Sequence, residues 1–363
     1  MEQTTSRRAA DSEEEDASPH TKRSKPNQCD DDKRRLLVAC KSPLLYCVGR
    51  DQITALMRVP WFGSYCTGSN KFWKNKFFDL AAQVALTCEK KTDVISKVWS
   101  VQGDAWLQTA LNLQPRVERP NLECVADVYD YREAPSETLV VDFAFNIVGG
   151  GCFRNGFVQE EQIVAQSADF AAFLKLHREC LQEDGACTYE GVHMDIWWSR
   201  EQAHKRSIDF HHVQECRSKP FTIIAVDAPR MQGKKEYNDA DLKMLAKKTI
   251  LIYEVARHLN APVIFSGLLG CGAFRGHRPL TLLLHLLLQP HGCSSHLKFH
   301  HPIFEAFGDY AVSQLEQKML SIADNMLEVL RNKDVATLQD ALKEILSWRL
   351  WTSNFDSDIP FCR

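Results

Sequence analysis

Residues 140–161 read VVDFAFNIVGGGCFRNGFVQEE and gather the groups with the most chemistry in the chain. A buried strand is expected to run into Gly149-Gly150-Gly151, and a helix to open at about Val158. Three consecutive glycines let a backbone approach a ligand closely and turn its N–H groups inward. The N-terminus of a helix beside them adds positive dipole. Together these features suit a diphosphate, with a spacing that is neither a P-loop nor a dinucleotide fingerprint. Glu160 and Glu161 fall in the first turn of that helix. Adjacent helical side chains point about 100° apart, so the two carboxylates can take two roles. Acidic residues also favour helix N-termini for the dipole alone, and glycine-rich strand-to-helix turns are commonly structural. A general acid must hold its proton against that dipole. Burial, or the ligand's own diphosphate charge, would have to raise its pKa.

These groups act only if the strand and helix that carry them are fixed in a larger sheet. Cys124 to Tyr131 and Thr138 to Phe145 read as strands, Val158 to Leu176 as a helix and Ala186 to Trp197 as a further strand. Phe221 to Val226 reads as a buried strand, Asp239 to Leu259 as a helix and Pro262 to Gly267 as another strand. A helix at about Pro279 to Leu288 follows, then a strand near Phe299 to Phe304. Strands alternating with helices imply an α/β sandwich. From Leu36 to about Gln114 the pattern is mainly helical, with apolar residues at helical spacing through Phe77, Leu80, Ala81, Val84 and Ala85. Pro115 and Pro120 bracket a polar boundary. The C-terminal part, Ala311 to Arg331 and Val335 to Trp348, is helical; Val312, Leu315, Met319, Ile322 and Met326 form a packing face without a sustained heptad.

Composition narrows the function classes. Lys plus Arg is 44 and Asp plus Glu 47, a formal net charge of -3 that argues against a nucleic-acid-coating surface. Residues 1–35 hold eight Lys/Arg and nine Asp/Glu but no Val, Ile, Leu, Phe, Tyr or Trp, so they are expected to be a disordered charged tail. Its clusters Lys22-Arg23-Ser24-Lys25-Pro26 and Lys33-Arg34-Arg35 fit either a nuclear-import signal or a solvated tail, and the expected location is nuclear, cytoplasmic or both. The start carries no apolar run and Leu280 to Leu288 is too short to span a bilayer, so neither a secretory leader nor a membrane partner is expected. The 13 Cys lack a CxxC pair and read as reduced thiols. No metal is expected, the pairs His211-His212 and His300-His301 having no Cys at ligand spacing. Cys152, Cys271, Phe170 and Phe173 are expected as core, and His193-Met194-Asp195 carries no geometry that would make it a dyad.

The segment VDFAFNIVGGGCFRNGFVQEE resembles the signature of the poly(ADP-ribose) glycohydrolase family, whose core is a macrodomain. There a VDFA strand leads to a GGG loop and a QEE helix start at this spacing. Ser266-Gly-Leu-Leu-Gly-Cys-Gly-Ala-Phe-Arg-Gly276 resembles the family's later phosphate loop, which reads GCGAFGG. Ile224 to Ala228 is similar to its preceding strand, Trp198-Ser199-Arg200 to a short WSR run and Phe307-Gly308-Asp309 to its last strand end. The likeness covers roughly residues 40 to 345. It implies a macrodomain-like mixed sheet sandwiched by helices over residues 121–320, a helical accessory region over 36–120 and C-terminal helices over 321–363.

The resemblance also implies hydrolysis of ribose–ribose bonds in poly(ADP-ribose). Glu161 would be the acid that protonates the leaving oxygen and then takes a proton from water, and Glu160 would hold ribose hydroxyls. Gly149, Gly150 and Gly151 would offer amides to the diphosphate, and Gly270, Gly272, Ala273 and Phe274 would close the other side. Asp142, Asn146 and Gln159 would also line the ligand, and Glu133 would be an adenine contact. Poly(ADP-ribose) or ADP-ribosylated proteins are the implied partners of a monomer, with no cofactor.

The sequence departs from the family in three places. Phe145 stands where the family has Asn, with Asn146 one position later and so on the opposite face of a strand. Leu268 stands for a second Asn, and the tyrosine-rich clasp is reduced to Tyr189-Glu190-Gly191-Val192, with His193 or Trp197 as substitutes. Two lost polar contacts would cost about 1–3 kcal/mol each. The alternatives are therefore an ADP-ribose reader with weak or no hydrolysis, or a hydrolase of another ADP-ribosyl linkage.

Overall fold

The computed structural model describes residues 38–41, 43–57, 69–88, 92–115, 122–125, 135, 137–152, 159–197, 213–272, 274–290, 294–298 and 308–348. The strands are β1 (Val38–Cys40), β2 (Leu44–Val48), β3 (Thr92–Val101), β4 (Leu122–Val125), β5 (Leu139–Phe143), β6 (Gly185–Val192), β7 (Ile196–Trp197), β8 (Gln214–Glu215), β9 (Phe221–Val226), β10 (Val263–Gly267) and β11 (Ser294–Lys298). The helices are α1 (Arg50–Met57), α2 (Ser69–Thr87), α3 (Gln159–Gln166), α4 (Ala168–Leu176), α5 (Asp239–His258), α6 (Arg278–Leu288), α7 (Gly308–Asn332) and α8 (Leu338–Ser347).

Nine strands form one mixed sheet in the order β1-β3-β6-β9-β5-β10-β11-β4, with β2 also paired to β3. β9, β5, β10, β11 and β4 run parallel, while β6 is antiparallel to β9 and β3 is antiparallel to β6, β1 and β2. The central strands LVVDF, FTIIAV and VIFSG are rich in β-branched residues and mostly buried, as parallel strands covered on both faces must be. Alternate side chains divide between two cores. Val140, Ile223 and Ala225 meet Phe77, Phe78, Ile163, Phe170 and Phe173 from α2, α3 and α4. Leu139, Val141, Ile224 and Val226 meet Leu245, Leu251, Leu283, Leu338 and Ile345 from α5, α6 and α8.

The α/β sandwich expected from the alternation of elements is present, with two differences of detail. The segment expected to be mainly helical contributes α1 and α2, but also β1, β2 and β3, which extend the main sheet. β3 buries Thr92, Val94 and Ser96 in alternation, a period-2 signal that the stronger apolar spacing of α2 overshadowed. The helix expected from Val158 to Leu176 is two helices. Ser167 breaks it in an extended conformation and caps α4 by accepting from Phe170 N (3.3 Å). Asp195 Oδ2 takes the neighbouring Ala168 N–H at 2.8 Å. β11 stands just before the strand expected near Phe299 to Phe304, whose residues lie outside the described set, as do residues 1–35. Met319 and Met326 of α7 are buried as expected, while the side chains of Val312 and Leu315 lie outside the described set. No helix among the described residues is long and apolar enough to cross a membrane.

One polar tie inside the fold fixes the end of β9. Lys248 on α5 is fully buried; its Nζ donates to Gln182 O (2.7 Å) and Gly185 O (2.6 Å) and lies 2.5 Å from Asp227 Oδ1. The tie joins α5, the turn before β6 and the first residue after β9. Burial lowers the Lys248 pKa, and Asp227 opposes that shift. Removing one partner of a buried pair leaves an uncompensated charge and costs about 3–5 kcal/mol. Lys248→Met is therefore expected to lose about that much in urea unfolding. The double variant Lys248→Met/Asp227→Asn should lose less than Lys248→Met alone.

Candidate active site

The site lies at the C-terminal ends of β9, β5 and β10, where parallel α/β sheets open their crevices. β5 pairs with β9 as far as Phe143, but with β10 only at Leu139 and Val140. Beyond that point β5 has backbone groups that need other partners. Gln159, the first residue of α3, supplies them: its Nε2 donates to Val141 O (3.0 Å) and its Oε1 accepts from Phe143 N (2.9 Å). The sequence reading placed Gln159 with the ligand. Its amide is instead engaged by the strand, and it sets where the two following glutamates stand.

Glu160 and Glu161 are both buried. Glu160 Oε2 accepts from Phe145 N at 3.1 Å and the carboxyl also receives the Gly149 N–H, while its Oε1 has no hydrogen-bond partner. Glu161 Oε1 accepts from Gly151 N at 2.9 Å. Gly150 lies against both. A Cβ at this position would stand 2.2 Å from Glu160 Oε2 and 3.0 Å from Glu161 Oε1, and its φ is +42°. Its own N–H closes a turn on Ile147 O at 3.0 Å. The three glycine amides, assigned from sequence to a diphosphate, are thus engaged within the protein. What Gly150 contributes is clearance for two carboxyl groups.

A third carboxyl completes the cluster. Asp142 on β5 is fully buried, and neither of its oxygens has a hydrogen-bond partner. Burial, followed by the Glu161 charge, holds its pKa well above the usual carboxylate range. Burial, then Asp142 and Glu161, pushes Glu160 up to about 10, although the Phe145 and Gly149 N–H groups favour its ionised form. Glu160 is therefore a neutral carboxylic acid at pH 7. Desolvation and like charge thus hold the proton of Glu160 at a helix N-terminus.

The second loop runs from Leu268 to His277. Gly270 has φ +75°, and a Cβ there would stand 2.7 Å from Ala228 Cβ, so the loop packs directly on the segment after β9. Gly276 N donates to Gly270 O (2.9 Å), and His277 caps α6 by accepting from Leu280 N (3.1 Å) through Nδ1. Burial lowers the His277 pKa to about 4, so it caps as a neutral ring. Gly272 is different: its φ is not left-handed and a Cβ would meet nothing within 4 Å among the described residues, so these make no demand for glycine there. Arg275 keeps a left-handed φ of +58° where the resembled loop has glycine. Phe274 is half-buried, and Ala273 lies outside the described residues.

Several other expectations change. Leu268 packs against the small cluster of Leu282, Leu286, Leu297, Leu320 and Ala323. Asn146 is exposed, and its carbonyl accepts from Leu181 N at 2.7 Å. Tyr189, read as a remnant of the clasp, is fully buried, with ring centroids 4.9 Å from Phe170 and 5.4 Å from Phe173. Phe170, Phe173, Cys152 and Cys271 are core residues as expected. His193 meets Asp169 Oδ2 through Nδ1 at 2.9 Å, whereas Asp195 pairs with Arg217, so the sequence neighbours His193 and Asp195 belong to one polar cluster without forming a dyad. Burial, then Asp169, raises Asp195 to about 8, with Arg217 opposing the shift. Trp197 is half-buried, and Glu133, Trp198 to Arg200, His211, His212, His300, His301 and Phe307 lie outside the described residues. Sequence reasoning missed Arg230, whose Cζ lies 4.5 Å from the Phe145 ring centroid and 5.2 Å from that of Phe274. No local motif marks it, because Arg230 and its two partners follow three different strands.

The model of the poly(ADP-ribose) glycohydrolase family, described as having the macro domain fold, matches residues 120–301, half of the chain. The chain belongs to the poly(ADP-ribose) glycohydrolase family. The matched segment runs from β4 to β11 and contains both glycine loops and the Gln159-Glu160-Glu161 helix start. Among solved structures, the chain is similar to a poly(ADP-ribose) glycohydrolase from Thermomonospora curvata bound to the inhibitor ADP-HPD. Identity is 17%, coverage is 61% of this chain and 81% of that one, and the TM-score is 0.37. It is also similar to the enzyme from Deinococcus radiodurans in complex with ADP-ribose, at 17% identity, 58% and 85% coverage and a TM-score of 0.37. Likenesses this distant carry no residue assignments to this chain. No curated protein matches it.

Two consequences follow for the glycohydrolase-family site. Gly150→Ala should displace the Glu160 carboxyl and strain the loop, with a stability loss of about 1–2 kcal/mol, checked by thermal melting. Glu160 binds a proton in the folded state that it loses at about 4.5 when unfolded, its folded pKa being near 10. Its contribution to stability is therefore complete below about pH 4.5 and falls as pH rises toward 10, by at most about 1.4 kcal/mol per pH unit. Glu160→Gln keeps the acceptor for Phe145 N–H and removes the titration. Its melting temperature should exceed that of the wild type at pH 8, by a margin that widens with pH.

Proposed function

We propose that this chain is a poly(ADP-ribose) glycohydrolase that hydrolyses ribose–ribose O-glycosidic bonds and releases ADP-ribose. The observation that carries the reading is the buried group of Asp142, Glu160 and Glu161 around Gly150 at the mouth of the sheet, with Glu160 neutral at pH 7. A glycosidic oxygen is a poor leaving group unless it is protonated. Glu161, anchored through Oε1 by Gly151 N–H, is proposed as the acid at the reacting bond on the resemblance of the QEE helix start to the family signature. It gives its proton to the leaving ribose oxygen as the C1″–O bond breaks. The ligand's diphosphate stabilises the oxocarbenium-like sugar. The Glu161 carboxylate then accepts a proton from the water that attacks C1″. Glu160, protonated, offers an O–H donor to a ribose hydroxyl without adding charge. Gly272, where the described residues make no demand for glycine, gives the ligand room to approach the second loop.

A second reading, an ADP-ribose reader with little turnover, draws support from Phe145 and from Leu268, whose side chain is turned into an apolar cluster. ADP-ribosylated proteins are the proposed partners in either case, with nuclear entry through the basic clusters at 22–26 and 33–35.

The decisive experiment measures ADP-ribose release from polymer together with calorimetry of ADP-ribose. Glu161→Gln should lose about 10²–10⁴ in turnover, with ligand affinity kept because glutamine still accepts from Gly151 N–H. Equal turnover by wild type and variant would reject the assignment of the acid. Binding without release by the wild type would establish the reader.

A further inference from the structure

The diphosphate of the proposed ligand needs donors, and the three glycine N–H groups of the first loop are already engaged. The N–H groups of Gly149, Gly150 and Gly151 point to Glu160, Ile147 O and Glu161. The three carboxyl groups beside them supply no positive charge. A cation does stand at the same strand ends. Arg230 follows β9 by four residues, is exposed, and places its guanidinium carbon over the rings of Phe145, after β5, and Phe274, in the loop after β10.

These three residues come from the three neighbouring strands β9, β5 and β10, so they span the crevice between the two glycine loops. Their spacing is fixed by backbone contacts. Met231 N donates to Phe274 O at 2.9 Å, and the close approach of Gly270 to Ala228 holds the second loop on the segment that carries Arg230. Phe145 is 36% exposed, one of the few large apolar residues left open to solvent. Among the described residues Arg230 makes no hydrogen bond and no ion pair. A guanidinium presents five N–H donors in a planar fork and is at the same time attracted to aromatic faces. Rings that hold it in place reduce the freedom lost on binding.

We propose that Arg230, steadied by Phe145 and Phe274, is a phosphate-binding residue of this site that takes the ligand's diphosphate through its guanidinium edge. The inference rests on the functional reading above, because it needs a ligand with a diphosphate. It gives Phe145 a role that a hydrogen-bonding residue at that position would not have. It also makes Arg230 a positioning group for the reaction: an anchored diphosphate sets the ribose against Glu161.

The test compares wild type, Arg230→Lys and Arg230→Ala in calorimetry with ADP-ribose, inorganic pyrophosphate and adenosine. Arg230→Ala should weaken ADP-ribose about 10- to 100-fold, the range of a lost hydrogen bond to a charged group. Arg230→Lys should recover only part of this, since an ammonium has no planar fork. Pyrophosphate should compete with ADP-ribose on the wild type and not on Arg230→Ala, and the salt dependence of ADP-ribose binding should flatten in the variant. Adenosine, which has no phosphate, should bind all three equally. Equal losses for ADP-ribose and adenosine would show that Arg230 only holds the loops, and would overturn the inference. Unchanged ADP-ribose binding in both variants would overturn it alone and leave the functional reading standing. A wild-type chain that binds no ADP-ribose would overturn both.

Discussion

The structure turns on the cost of placing three carboxyl groups in a dry space. Asp142, Glu160 and Glu161 are all buried around Gly150. An ionised carboxylate in such surroundings is very unfavourable, and two or three together are worse. Burial and like charge raise the pKa of both Asp142 and Glu160, and Glu160, pushed up to about 10, keeps its proton at pH 7. That converts what would be a stability defect into a proton donor. The rest of the site follows from keeping these groups close together and away from water.

That requirement explains the local architecture. β10 leaves β5 after two residue pairs and opens a crevice, and Gln159 replaces the missing ladder partners with its own amide. The amide therefore fixes the start of α3 against the strand, and the next two residues inherit a defined position. Gly150 then allows the loop backbone to approach closer than any side chain would permit. The loop N–H groups that accompany it bind the glutamates themselves. The signature thus acts first as a device for seating two acids, and Arg230 brings positive charge from another segment.

The first glycine loop and the Glu160-Glu161 pair were legible because all their parts are within 22 residues, and short-range spacing survives into the fold. The central strands were legible for a similar reason: buried parallel strands are continuous apolar runs. β1, β2 and β3 were not, since two are short and the alternation of β3 follows directly on the dense apolar spacing of α2. The break at Ser167 was hidden because one of its causes, Asp195, is 28 residues away. Tyr189 was misread for the opposite reason. Its place in a motif suggested a ligand contact, and its register on β6 turned it into the core between Phe170 and Phe173.

The sequence by itself determined the chemistry available: which residues hold acids, where the backbone can bend, and which runs must be buried. It also determined the family, through two glycine loops in fixed order around QEE. Only the tertiary structure decided the protonation of those acids, because a pKa depends on burial and on neighbours from other strands. Only it decided that the amide of Gln159 serves β5, and that Leu268 and Tyr189 face inward. It alone brought Phe145, Arg230 and Phe274 together from the ends of three strands, since sheet order is set by long-range pairing that no local spacing records.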